Sequence, residues 1–151
     1  KITNWSLKHL EVYLKKLYSL VERYSLSKKL RFINHCREMP LAYSLADVVV
    51  SASVEPEAFG RVAVESQSMG KPIIASNIGG SKETILNKKS GFLYKHDDPR
   101  ELAKNLNTVI QLNQEELKLM GNEGRKNVTK KFDVDLMCDS NLREYKKLLV
   151  K

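Results

Sequence analysis

The 151-residue chain predicts an α/β fold, a doubly wound parallel sheet with helices on both faces. Two observations carry this. The apolar runs Val48-Val49-Val50 and Pro72-Ile73-Ile74-Ala75 are continuous rather than alternating, the pattern of strands covered on both faces. Stretches with helical periodicity separate the strand signals, and parallel strands need such crossovers.

The elements follow in order. Leu7, Leu10, Leu14, Leu17, Val21 and Tyr24 form the stripe of an amphipathic helix packed on one side. Leu30-Arg31-Phe32-Ile33 gives a short strand signal. A helical turn around Leu41 to Ala46 is expected to bring Tyr43 and Leu45 near the core, and Asp47 leads into the Val48 to Val50 strand. A helix from Val62 to Met69 is closed by Gly70 in the left-handed cap position, with Pro72 beyond. The Pro72 to Ala75 strand comes next. After the Gly79-Gly80 turn, Ser81 can cap a short helix reaching Leu86, and Gly91-Phe92-Leu93-Tyr94 makes a further strand. Asp98-Pro99-Arg100-Glu101 starts a helix, with Asp98 as N-cap, Pro99 at the first position and Glu101 reaching back as in a capping box. That helix runs to about Leu112. Asn113 and Glu116 repeat the device, and Val134 to Val150 forms the last helix, apolar at Leu136, Leu142, Tyr145 and Leu149. No repeat, Pro-rich linker or low-complexity tract interrupts the chain, which reads as one domain, residues 1–151.

Composition narrows the function classes. With 42% hydrophobic and 29% charged residues the chain is of ordinary globular type. The longest uncharged apolar stretch, Val48 to Val54, is far below the roughly 20 residues that cross a bilayer, and no signal pattern opens the chain. A cytoplasmic protein is expected. The chain starts at Lys1 rather than Met, which suggests a piece of something longer. Cys36 and Cys138 are isolated, suiting reduced thiols rather than a disulfide or a zinc site. The formal charge of +8 comes from scattered lysine pairs such as Lys28-Lys29, Lys88-Lys89 and Lys130-Lys131, without the interleaved aromatics of a single-strand binder. The charge therefore marks solvated faces with some affinity for anionic surfaces, and nucleic acid is not the expected partner.

Ligands of such sheets bind at the carboxyl ends of the strands. The loops to inspect hold Asn34-His35-Cys36-Arg37, the run Ser51 to Gly60, and Asn77-Ile78-Gly79-Gly80. The middle loop is the richest. In Val54-Glu55-Pro56-Glu57-Ala58-Phe59-Gly60-Arg61, Pro56 stiffens the turn and Gly60 lets backbone approach a ligand where a helix begins. The free amides near Gly60, Arg61 and Val62 make an anion site suited to a diphosphate. Glu65, one turn into that helix, can accept two hydrogen bonds from a vicinal diol such as a ribose, and Glu57 lies outside the helix on the other side of the phosphate position.

The string Glu57-Ala58-Phe59-Gly60-Arg61-Val62-Ala63-Val64-Glu65, followed by Gly70-Lys71-Pro72-Ile73-Ile74-Ala75-Ser76, Gly79-Gly80 and Glu83, resembles the E-x7-E region of the retaining GT-B glycosyltransferases (glycosyl transferases group 1, family 4). The resemblance runs from roughly Leu7 to the C-terminus and takes in Tyr43-Ser44-Leu45-Ala46-Asp47, Gly91-Phe92-Leu93 and Asp98-Pro99. It implies the Rossmann-like C-terminal, donor-binding half of such an enzyme, which moves a hexosyl group with retention from a nucleotide diphosphate sugar to an acceptor hydroxyl. Cell-envelope glycan or lipopolysaccharide synthesis is the setting it implies, at or near the inner face of the cytoplasmic membrane.

By the same resemblance Glu57 is the catalytic-site acid that contacts the transferred sugar, Glu65 binds the ribose, and Phe59, Gly60, Arg61 and Val62 line the sugar and diphosphate. The loop after the second strand helps hold the base, which makes His35 and Arg37 nucleobase candidates. Arg61 stands where the family usually has an aliphatic or small residue, and its guanidinium either adds charge beside the diphosphate or points to solvent. Neither metal nor cofactor is expected: Asp97-Asp98 is used to start a helix, so no DxD pair stands in a suitable loop. The Arg and Lys that neutralise the leaving diphosphate in the family have no recognisable counterpart, and the acceptor-binding N-terminal domain, onto which the Val134 to Val150 helix would cross, is missing. Two other readings stand beside this one, a non-catalytic nucleotide-sugar-binding module and a basic nucleic-acid-binding protein.

Overall fold

The computed structural model describes residues 4–33 and 35–149, the side chains from residue 9 onward; Asn34 of the expected loop and Val150 of the expected last helix lie outside them, as does the Leu7 side chain. The chain divides into two compact units, Lys1–Arg37 and Glu38–Lys151.

The first unit is built on α1, Asn4–Arg23. Its apolar stripe is half-buried at Leu14, Leu17 and Val21, while Leu10 and Tyr24 are exposed. Beyond it the chain turns at Ser25, with φ 53°, and the Leu26 amide bonds back to Val21 O at 2.8 Å. The strand expected over residues 30–33 does not form. A strand needs a neighbour to pair its amides and carbonyls, and among the described residues the sheet comprises three other strands. Phe32 instead packs edge-on against Tyr18, ring centroids 4.6 Å apart, and Ile33 is 85% exposed.

The second unit holds the sheet. Its elements are α2 Met39–Leu45, β1 Val49–Ser51, α3 Arg61–Ser68, β2 Ile73–Ser76, α4 Ser81–Thr84, β3 Gly91–Tyr94, α5 Pro99–Ile110, α6 Gln114–Lys131 and α7 Val134–Leu149. The strands are parallel in the order β1-β2-β3, with Val49 opposite Ile73 and Ile73 opposite Gly91. The central strand β2 is buried throughout. Because successive side chains leave a strand on opposite faces, Ile73 and Ala75 pack with Ala63 of α3 and with Ile85, while Ile74 packs with Tyr94, Val109 and Leu106 on the other side. Helices therefore cover both faces, and the α/β expectation holds. The expectation of two covered faces is met less well at β1. It lies at the sheet edge among the described strands, and Val50 is 40% exposed.

Other details depart from expectation for local reasons. Tyr43 is buried but Leu45 is 79% exposed, since two residues apart on an α-helix is a rotation of about 200°. Ser81 makes no cap; Gly80 takes the N-cap position of α4 and offers no side-chain bond. Asp98 does cap α5, accepting from the Arg100 and Glu101 amides, but Glu101 Oε2 accepts from the Lys95 amide at 2.7 Å rather than from Asp98. The Asn113–Glu116 capping box is complete. Among the described residues no helix is long and apolar enough to cross a membrane.

Candidate functional site

Strands β1 and β2 are parallel neighbours, so the loops at their carboxyl ends, residues 52–60 and 77–80, emerge side by side. Backbone joins them. The Gly80 amide donates to Glu57 O at 2.9 Å. A Cβ on Gly79 would lie 2.3 Å from Glu57 O, and one on Gly80 would lie 2.3 Å from Phe59 C and O, so the two loops touch where side chains cannot fit. From sequence, Gly79-Gly80 is read as a turn, in a loop to inspect and within the family-like string, but not as a backbone contact to loop 52–60. A glycine pair at a strand's carboxyl end is the signal available for this closer role.

Gly60 turns the chain into α3 with φ 76° and ψ 53°, a left-handed conformation costing an L-residue roughly 1–2 kcal/mol. The first backbone bonds of the helix come from the Ala63 and Val64 amides, which reach Gly60 O at 3.0 and 3.3 Å. The amides of Gly60, Arg61 and Val62 precede them and are the ones a helix start leaves without an intrahelical acceptor, at the positive end of its dipole. Val62 sends its side chain into the core against Ala63 and Ile73, so it can serve the site through backbone alone.

Along the chain the expected acids flank this helix start, Glu57 in the loop before Gly60 and Glu65 one turn into α3. Glu57 is exposed on the loop, and Ser53 Oγ donates to its Oε1 at 2.8 Å. Phe59 is 46% exposed and meets Phe132, just beyond α6, edge-on at 5.6 Å. Glu65 is half-buried one turn into α3 with both carboxylate oxygens engaged. Arg61 reaches Oε1 through Nε at 3.1 Å and Nη2 at 2.8 Å, and the Tyr43 hydroxyl donates to Oε2 at 2.9 Å. Arg61 thus turns along its own helix toward Glu65, its side chain 82% exposed. Tyr43, which the sequence does not mark as a site residue, is 5% exposed. Burial, then the hydrogen bond and the negative charge of Glu65, push its pKa up to about 12, with Arg61 acting the other way. It stays a proton donor at any ordinary pH.

His35 and Arg37 are exposed at the end of the first unit, in a loop that no strand precedes among the described residues. The residues that the second unit brings together are Glu57, Phe59, Gly60, Arg61, Val62 and Glu65, with Tyr43 and Gly79-Gly80 behind them. No group of three or more His, Cys, Asp or Glu among the described residues could hold a metal ion.

The chain as a whole has counterparts in known proteins. A family model described as glycosyl transferases group 1 matches residues 11–127. The D-inositol 3-phosphate glycosyltransferase of Corynebacterium urealyticum is 36% identical over 98 residues, 64% of this chain and 23% of its own length. A glycosyltransferase structure from Rickettsia africae superposes with a TM-score of 0.87 at 32% identity, over 93% of this chain and 38% of that one. The structure of Anabaena HepE in complex with UDP-glucose gives a TM-score of 0.85 at 27% identity, over 94% of this chain and 39% of that one. The chain thus spans roughly a quarter of the curated relative and two-fifths of the solved ones.

Proposed function

The chain belongs to the glycosyl transferases group 1 family, whose model covers residues 11–127, and we propose that it is the donor-binding side of a retaining hexosyltransferase. The observation that carries this reading is the left-handed Gly60 start of α3 set between the Glu57 and Glu65 carboxylates. The donor is a nucleotide diphosphate sugar. Its diphosphate lies on the Gly60, Arg61 and Val62 amides, its ribose diol meets Glu65, and its sugar meets Glu57. The HepE complex with UDP-glucose supports a ligand of this class.

In this reading the protein works by position and charge. The helix start stabilises the negative charge that grows on the diphosphate as the glycosidic bond breaks, in a setting fixed before reaction. The leaving phosphate takes the proton of the acceptor hydroxyl on the same face of the sugar, which accounts for retention. Sequence outside this chain holds the acceptor, a glycan or glycolipid of the cell envelope, and His35 and Arg37 are the candidates on the side of the base. The enzyme is cytoplasmic and works at the inner face of the membrane, where the chain's +8 charge favours anionic lipid.

Thermal unfolding against a panel of UDP-, GDP- and ADP-sugars tests the proposal. A donor at 100 times its dissociation constant stabilises the chain by about 2.7 kcal/mol, so at least one nucleotide sugar should raise the midpoint while free hexoses do not. No response to any nucleotide sugar would remove the donor site.

A further inference from the structure

We propose that Tyr43 is a positioning residue for Glu65, its hydroxyl holding Oε2 so that the carboxylate presents its remaining lone pairs to the diol of a ribonucleotide. This rests on the reading of Glu65 as the ribose acceptor. The two residues stand 22 positions apart, on α2 and α3, so their contact is a product of the fold rather than of helical spacing.

Counting acceptor sites separates the two donors that hold Glu65. A carboxylate offers about four lone-pair positions. Arg61 directs two N–H groups at Oε1 and Tyr43 directs one O–H at Oε2. Those three leave a single position, whereas a vicinal diol presents two hydroxyls. One donor must yield when a ribose arrives. An exposed ion pair within one helix is worth about 0–1 kcal/mol, and the Arg61 side chain is 82% exposed with water ready to replace Glu65. Tyr43 is 5% exposed, so breaking its bond would strand a hydroxyl in the interior. Arg61 is therefore the exchangeable partner and Tyr43 the permanent one. A phenol whose pKa lies far above neutrality keeps its proton for this bond. Holding the carboxylate in one rotamer before binding removes an ordering cost that the ligand would otherwise bear.

The test uses whichever of UDP, GDP and ADP binds most tightly, together with its 2′,3′-dideoxy counterpart, titrated calorimetrically into the wild-type chain, Tyr43→Phe and Glu65→Ala. Phe keeps the ring that packs in the interior and drops only the hydroxyl. Tyr43→Phe is expected to weaken the ribonucleotide by about 5- to 10-fold, within the net worth of one ordinary hydrogen bond, and to leave the dideoxy ligand within about twofold. Glu65→Ala should erase the preference for the ribonucleotide. Equal effects of Tyr43→Phe on both ligands, or none on either, with the preference still erased by Glu65→Ala, would overturn the role of Tyr43 and leave the ribose reading standing. A preference that survives Glu65→Ala, or a chain that binds none of the three nucleotides, removes the reading and the role of Tyr43 with it.

Discussion

Glu57 and Glu65 are eight positions apart and live in different surroundings. Glu57 is exposed and accepts from the Ser53 hydroxyl, while Glu65 is gripped by a guanidinium and a buried phenol. A loosely held acid suits a group that adjusts to a sugar, and a fixed one suits a rigid ribose. Glu57→Ala is accordingly expected to weaken the nucleotide sugar about tenfold, one charge-assisted hydrogen bond, and the nucleoside diphosphate hardly at all. Calorimetry with both ligands checks this, and equal losses contradict the placement of Glu57 against the sugar. Both glutamates and the Gly60 bend are legible in the sequence because they lie within one continuous loop and helix. Tyr43 is not. Its bond to Glu65 crosses from α2 to α3, and no periodicity in a single chain reports such a meeting. The direction of Arg61 escapes for a simpler reason: a residue four positions before a glutamate on a helix has a partner at hand, and that ion pair competes with both solvent and ligand.

At the scale of elements, the site depends on two loops meeting through glycine backbone. Gly80 has an ordinary α-helical φ of −63°, so alanine there carries no conformational penalty, yet its Cβ would lie 2.3 Å from the Phe59 backbone. Gly70 is the opposite case, with φ 68° and open space where an added methyl group would sit. Gly80→Ala is expected to lower the unfolding free energy by about 1–3 kcal/mol through overpacking, and to weaken nucleotide binding as loop 52–60 is displaced. Gly70→Ala should cost about 1–2 kcal/mol from its left-handed φ and leave binding unchanged. Urea unfolding and nucleotide titration on both variants check the pair, and a Gly80→Ala chain as stable and as competent as wild type contradicts the interlock. Most elements are legible because local chemistry marks them, as at the Asn113 capping box and the continuous run of β2. Residues 30–33 have the composition of a strand but lack a neighbour to pair with, and pairing is a property of the whole sheet. Leu45 misleads in the same way: its apolar character is visible, but the side of so short a helix on which it falls is not.

Over the whole molecule, 26 basic and 18 acidic side chains leave a field that attracts any phosphate. A nucleotide sugar carries phosphate, and binding alone does not separate a built site from a basic surface. One alternative is concrete: Arg125, Lys126 and Lys130 line a groove on α6, on a part of the surface that contains neither glutamate. Location decides between them. The most direct measurement is amide chemical-shift mapping of the isotopically labelled chain, titrated with the nucleotide sugar that stabilises it most, at about 0.2 M salt, where the Debye length falls to roughly 7 Å. The largest shifts are expected at Gly60, Arg61 and Val62, with Gly80 following through its contact with the Glu57 loop. Shifts centred on the α6 groove, or shifts that vanish at that salt concentration, would contradict a donor site between Glu57 and Glu65.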